Sequence, residues 1–148
     1  MKECLTHSAE ETTELGRRLA GELRPPKLVV LRGELGAGKT TLIKGIAEGF
    51  RASSQENVTS PTFTLIHEYR GAGVNVYHVD LYRVDTQREL DTLGLDDLFD
   101  ESSVVLIEWG EKFARFLRDR DVEITIERLG ENERKIMIAT EAQRHREK

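Results

Sequence analysis

The chain has 148 residues, about one domain's length and enough to bury a core without disulfides or metal staples. A formal net charge of −5 argues against autonomous binding to bulk nucleic acid, which needs a basic face, while leaving room for a local basic patch. The single cysteine, Cys4, excludes an internal disulfide and a cysteine-built zinc site. No apolar run approaches the roughly 20 residues that cross a bilayer, and the first 23 residues are amphipathic rather than signal-like. The expectation is one cytoplasmic domain, with no membrane contact.

Residues 8–23 predict a helix. Ser8 and Glu11 have capping-box spacing, and Leu15, Leu19 and Leu23 recur every fourth position. Pro25 and Pro26 stop it. Leu28-Val29-Val30-Leu31 is a continuous apolar run, expected of a strand buried on both faces of a parallel sheet. A glycine-rich turn follows at 33–38. A second helix is predicted over 39–50, with Leu42, Ile43, Ile46, Ala47 and Phe50 facing the core. Residues 51–61 are polar and aperiodic, the pattern of an exposed loop. Strands over 62–69 and 74–80 are joined by Gly71-Ala72-Gly73 as a hairpin. Residues 86–99 predict one or two short helices. Val104-Val105-Leu106-Ile107 is a second buried strand, with a helix at 111–118 after it. Alternating apolar residues at 122–128 and 134–140, around Gly130-Glu131-Asn132, predict another hairpin. The tail, 141–148, is charged and expected to fray. The whole reads as a three-layer α/β P-loop fold, with a mostly parallel central sheet and antiparallel hairpins.

The chemistry concentrates at Gly33-Glu34-Leu35-Gly36-Ala37-Gly38-Lys39-Thr40, which satisfies G-x-x-x-x-G-K-[ST] at every fixed position. Glycines let successive amides point inward at a phosphate, and the following helix adds its positive end. Lys39 supplies a mobile charge for the β- and γ-phosphates, and Thr40 a hydroxyl for Mg²⁺. Such a loop needs an acid at the end of a neighbouring strand, and both Asp80 and Glu108 qualify; periodicity does not say which meets metal and which orients water. Thr59-Ser60-Pro61-Thr62 reads either as a turn or as a γ-phosphate-sensing switch. His78 shares a strand face with Val76 and Asp80 and reads as a packed, hydrogen-bonded residue. Trp109 serves equally as a core anchor or as a cover for nucleotide or partner. Arg115, Arg118 and Arg120 read as a solvated helix face. No Asn-Lys-x-Asp segment and no protein-kinase motif set occurs.

Four segments in order narrow the reading: the P-loop with Thr41, Ser60-Pro61-Thr62-Phe63, Tyr77-His78-Val79-Asp80-Leu81-Tyr82-Arg83, and Ile107-Glu108-Trp109. Together they resemble the TsaE (formerly YjeE) family, bacterial ATPases of tRNA threonylcarbamoyladenosine biosynthesis, over nearly the whole chain. The resemblance implies ATP and Mg²⁺ as cofactors and weak hydrolysis stimulated by a TsaB–TsaD-type complex, with tRNA met only through those partners. Within that complex TsaD places the threonylcarbamoyl group on adenosine 37 of tRNAs reading codons that begin with A. Carried over by residue, the resemblance has Gly36, Ala37, Gly38 and Lys39 holding phosphates and Thr41 supporting the α-phosphate region. Thr40 and Glu108 hold Mg²⁺. Asp80, with Lys39, carries hydrolysis, and Ser60 to Thr62 form the switch. Trp109 lies close to the site, and Ser8 and Arg134 lie near the base. Gly110 stands where some members have proline. A small-metabolite kinase is the alternative, although no acceptor lid is recognisable; a third reading is a nucleotide-gated binding module with negligible turnover.

Overall fold

The structure, a computed structural model, describes residues 2–34, 36–54 and 66–140. Eight strands form one sheet: β1 (Lys2–Thr6), β2 (Lys27–Arg32), β3 (Ser53–Ser54), β4 (Ile66–Gly71), β5 (Val74–Asp80), β6 (Ser103–Glu108), β7 (Val122–Arg128) and β8 (Arg134–Thr140). Their order is β1-β8-β7-β2-β6-β5-β4-β3. The central four, β7-β2-β6-β5, are parallel, and the antiparallel hairpins β4–β5 and β7–β8 flank them. Four helices, α1 (Ala9–Leu19), α2 (Lys39–Gly49), α3 (Gln87–Asp91) and α4 (Ala114–Asp119), complete the described elements with three short 3-10 turns.

Strand alternation divides the core in two. Val29, Leu31, Val104 and Leu106 point to one face, where Leu15, Leu19, Leu42, Ile43 and Ile46 of α1 and α2 cover them. Leu28, Val30, Val105 and Ile107 point to the other, against Leu90, Leu95, Phe113 and Phe116. The doubly apolar runs of β2 and β6 therefore sit where a parallel sheet needs them, with helices on both faces. The result is the expected three-layer α/β architecture. Among the described residues, no helix is long and apolar enough to cross a membrane.

Helices α1 and α2 touch backbone to backbone. A Cβ on Gly45 would lie 2.2 Å from the Thr13 carbonyl oxygen, and one on Gly16 2.5 Å from that of Leu42. Because the obstruction is backbone, no rotamer change relieves it. Gly45→Ala is expected to cost about 2–3 kcal/mol, read as a lowered denaturation midpoint in urea.

Several expectations need correction. Strand β1 was not predicted, because its pattern is inverted: Leu5 is exposed while Thr6 is buried and hydrogen-bonded to Thr12 at 2.7 Å. The first helix ends at Leu19 and tightens into a 3-10 turn over Ala20–Glu22, although Leu15, Leu19 and Leu23 are all buried as expected. The capping box there is half made. Ser8 Oγ accepts from Glu11 N, but the Glu11 carboxylate accepts from His7 N instead of from Ser8. Thr86 and Glu89 form the complete box at the start of α3. Ser53–Ser54, expected in a loop, pairs with β4. The arginines do not form one solvated face. Arg115 pairs with Asp96 and lies over the rings of Phe99 and Phe116, and Arg120 pairs with Glu123 at 3.4 Å, leaving Arg118 on the exposed side against Asp119.

Candidate functional site

The P-loop leaves β2 and enters α2 at the C-terminal edge of the parallel strands. Gly36 and Gly38 have φ of 81° and 101°, left-handed conformations that residues with a Cβ rarely adopt. With them the chain turns sharply enough for Lys39 to begin an eleven-residue helix. Leu35 lies outside the described residues.

Lys39 is 5% exposed. Its ammonium donates to the Gly33 carbonyl at 2.6 Å, lies 3.6 Å from Glu108 Oε1, and sits 4.4 Å from the centre of the Trp109 ring. Glu108 ends β6, beside β2 on one side and β5 on the other; Leu31 and Asp80 are its register partners. Its second oxygen, Oε2, accepts from His78 Nε2. Burial pushes the Glu108 carboxyl up, but the hydrogen bond and charge of His78, with the charge of Lys39, outweigh it and hold the group below its ordinary value. The charged carboxylate is therefore the form this cluster favours.

Asp80 ends β5 directly across from Glu108, and its Oδ1 accepts from Tyr82 N at 3.0 Å. The two acids that the sequence could not tell apart thus have different surroundings. Glu108 is buried in an ion-paired cluster, whereas Asp80 is half-buried at the rim. Trp109 takes a positive φ of 65°, and its ring meets that of exposed Tyr82 at a tilt of 54°, ring centres 5.3 Å apart. Of the two rings, that of Trp109 lies over the Lys39 ammonium.

On the other flank, Ser8, Thr12, Thr41, Asn132 and Arg134 line a cavity of about 70 Å³ with Gly38. That is well below the roughly 300 Å³ or more of a whole-ligand pocket, so it admits only an edge of a larger molecule. The structure thus brings Ser8, Thr41 and Arg134 to one cavity, with the Ser8 hydroxyl also engaged as the α1 cap. Arg134 Nε donates to the Ala37 carbonyl at 2.8 Å, and its Nη1 donates to the carbonyls of Gly130 and Glu133. The arginine ties the P-loop to the β7–β8 turn. Asn132 and Thr12 were not read as site residues, since a turn residue and a helix residue carry no periodic signal for a cavity formed between elements. Ser60, Pro61 and Thr62 lie outside the described residues.

The oxygen donors fit a phosphate-bound Mg²⁺: the exposed hydroxyl of Thr40 in the first turn of α2 and the buried carboxylate of Glu108, with the Lys39 ammonium left to serve the phosphate. No group of three His, Cys, Asp or Glu side chains able to hold a metal occurs among the described residues. An ion here would thus depend on phosphate oxygens and water for its remaining ligands, as Mg²⁺ commonly does.

Residues 6–136 match the family described as Threonylcarbamoyl adenosine biosynthesis protein TsaE. The chain belongs to the TsaE family. It is similar to the tRNA threonylcarbamoyladenosine biosynthesis protein TsaE of Bacillus subtilis, 38% identical over 95% of this chain and 86% of that one. The TsaE protein of Treponema pallidum is 37% identical over 92% of this chain and 98% of its own length. The fold is that of the crystal structure of Bacillus subtilis YdiB, with a TM-score of 0.75 at 34% identity, covering 99% of this chain and 89% of that one. This TsaE-family chain has the P-loop, the strand-terminal acids and the tryptophan assembled at one edge of its sheet.

Proposed function

We propose that the protein is a Mg²⁺-dependent ATPase that serves formation of the threonylcarbamoyl group on adenosine 37 of tRNA, acting in the cytoplasm on a TsaB–TsaD-type complex. The observation that carries the ATPase reading is the convergence of Lys39, Glu108 and Gly33 in one buried cluster at the mouth of the P-loop, with Asp80 in register beside it. Family membership carries the tRNA pathway, and the net charge of −5 agrees with tRNA being held by partners.

In this reading the amides around Gly36, Ala37 and Gly38 cradle the phosphates, and Lys39 turns from Gly33 and Glu108 to the β- and γ-phosphate oxygens. Thr40 and Glu108 hold Mg²⁺, which supplies charge neutralisation and alignment of the phosphates when bound. Thr41 supports the α-phosphate region and Thr62 belongs to the switch. Ser8 and Arg134 flank the base. Asp80 orients the attacking water and takes up its proton, while Trp109 and Tyr82 keep bulk water from the reacting end.

The test is phosphate release from ATP, measured with and without purified TsaB and TsaD. Release in water alone that rises when the partners are added is the expected result. Turnover that requires a small-molecule acceptor instead would establish a kinase, and indifference to the partners would remove the complex from the reading.

A further inference from the structure

The sequence reads His78 as a packed, hydrogen-bonded residue, and the mechanism above makes no use of it. Its place is unusual for a packing role. It lies on β5, two residues before Asp80 and in register with Leu106, on the sheet face that α2 covers. It is 8% exposed, and its Nε2 contacts the carboxylate that the proposed function gives to Mg²⁺. Since an ionised carboxylate only accepts, the Nε2 nitrogen is the donor. Exposed His67 on β4, its cross-strand partner, stacks over it with ring centres 6.0 Å apart, so the imidazole is supported on one face.

The two oxygens of Glu108 therefore have different neighbours. Oε2 is held by a ring on the adjacent strand, and Oε1 is 3.6 Å from an ammonium at the end of a flexible stem. The strand-to-strand contact is fixed by the parallel β5–β6 register. The contact to Lys39 is the one that must loosen for the lysine to reach phosphate. A buried glutamate with several side-chain torsions would otherwise follow the lysine, or lose the compensation of its charge when the lysine leaves.

We propose that His78 is a positioning residue for Glu108, holding Oε2 so that Oε1 alone is presented to the metal when Lys39 moves to the triphosphate. The inference rests on the Mg²⁺-triphosphate reading above. Hydrogen-bond partners of metal ligands commonly change metal affinity by about 10- to 100-fold when removed.

Two substitutions separate positioning from packing. His78→Phe keeps a ring and removes the donor, and His78→Gln keeps an N–H donor at similar reach. Binding of a non-hydrolysable ATP analogue is titrated by calorimetry across magnesium concentrations, and ADP binding is measured in EDTA. His78→Phe is expected to raise the magnesium requirement about tenfold, with metal-free ADP binding unchanged, and His78→Gln is expected to restore most of the loss. Wild-type magnesium dependence in His78→Phe overturns the proposal, as does equal impairment of the two variants. Should His78→Phe fail to fold by near-ultraviolet dichroism, His78→Asn, whose amide is too short to reach Glu108, takes its place with the same expectations. A wild-type protein that binds the analogue without regard to magnesium removes the underlying reading, and the proposal with it, which is a result distinct from normal dependence in both proteins.

Discussion

Lys39→Ala is expected to leave a folded protein whose affinity for ATP is weakened on the order of 10²- to 10³-fold. The lysine is the one ammonium in the buried cluster beside the P-loop glycines, and its contacts to Gly33, Glu108 and Trp109 show it already desolvated. Desolvation strengthens what it can offer a phosphate, so its loss cannot be offset by water. It also leaves Glu108 as a buried negative charge that repels incoming phosphates, with His78 as its remaining ion-pair partner among the described residues. Lys39→Met separates charge from packing, since methionine retains much of the stem beneath Trp109. Both variants should lose binding in calorimetry, with Lys39→Met melting closer to wild type. Trp109 is the single tryptophan, so its fluorescence in the nucleotide-free protein should also change as the cation leaves its ring. Normal ATP binding by Lys39→Met would remove the P-loop as the nucleotide site.

Asp80→Asn has the second large expected effect, and it falls on a different step. The asparagine carbonyl can still accept from Tyr82 N, so the turn after β5 is preserved. The variant loses the basic carboxylate at the rim, where Oδ2 has no hydrogen-bond partner among the described residues. Single-turnover phosphate release in the presence of the partner complex should fall by about 10²- to 10⁴-fold, the usual weight of general acid–base assistance. The ATP dissociation constant should stay within about threefold of wild type, since Asp80 stands outside the Lys39–Glu108–His78 cluster. Unchanged turnover would reverse the assignment of the two acids. A large loss of affinity would place Asp80 among the metal ligands.

The contrast between these acids also measures how far the residue order could be read. Both end apolar strands, and at the level of periodicity they are equivalent. They differ because β6 lies inside the sheet between β2 and β5, which buries Glu108 beside the P-loop, while Asp80 lies one strand further out. His78 is buried and hydrogen-bonded as expected, but its partner was hidden for the same reason. Its packed, hydrogen-bonded character was legible from its alternation with Val76, but its partner is 30 residues away on another strand. Strand β1 escaped notice because Leu5 faces outward and Thr6 inward, against the usual alternation of a half-buried strand. Arg115 and Arg120 look solvated by composition alone, yet acids and rings from other segments surround them.

What the residue order determined by itself is everything whose cause is local. The glycine spacing and the lysine of the P-loop, the four-residue spacing of Leu15, Leu19 and Leu23, the doubly apolar runs of β2 and β6 and the Thr86–Glu89 cap all act through neighbours within a few positions, so their physics is complete in the string. Only the tertiary structure decided which acid is buried, that Arg134 ties the Ala37 carbonyl 97 residues away, and that His78 stands behind Glu108. Those contacts follow from a strand order that departs from chain order. That order is set by the burial of two sheet faces at once, which no single segment encodes.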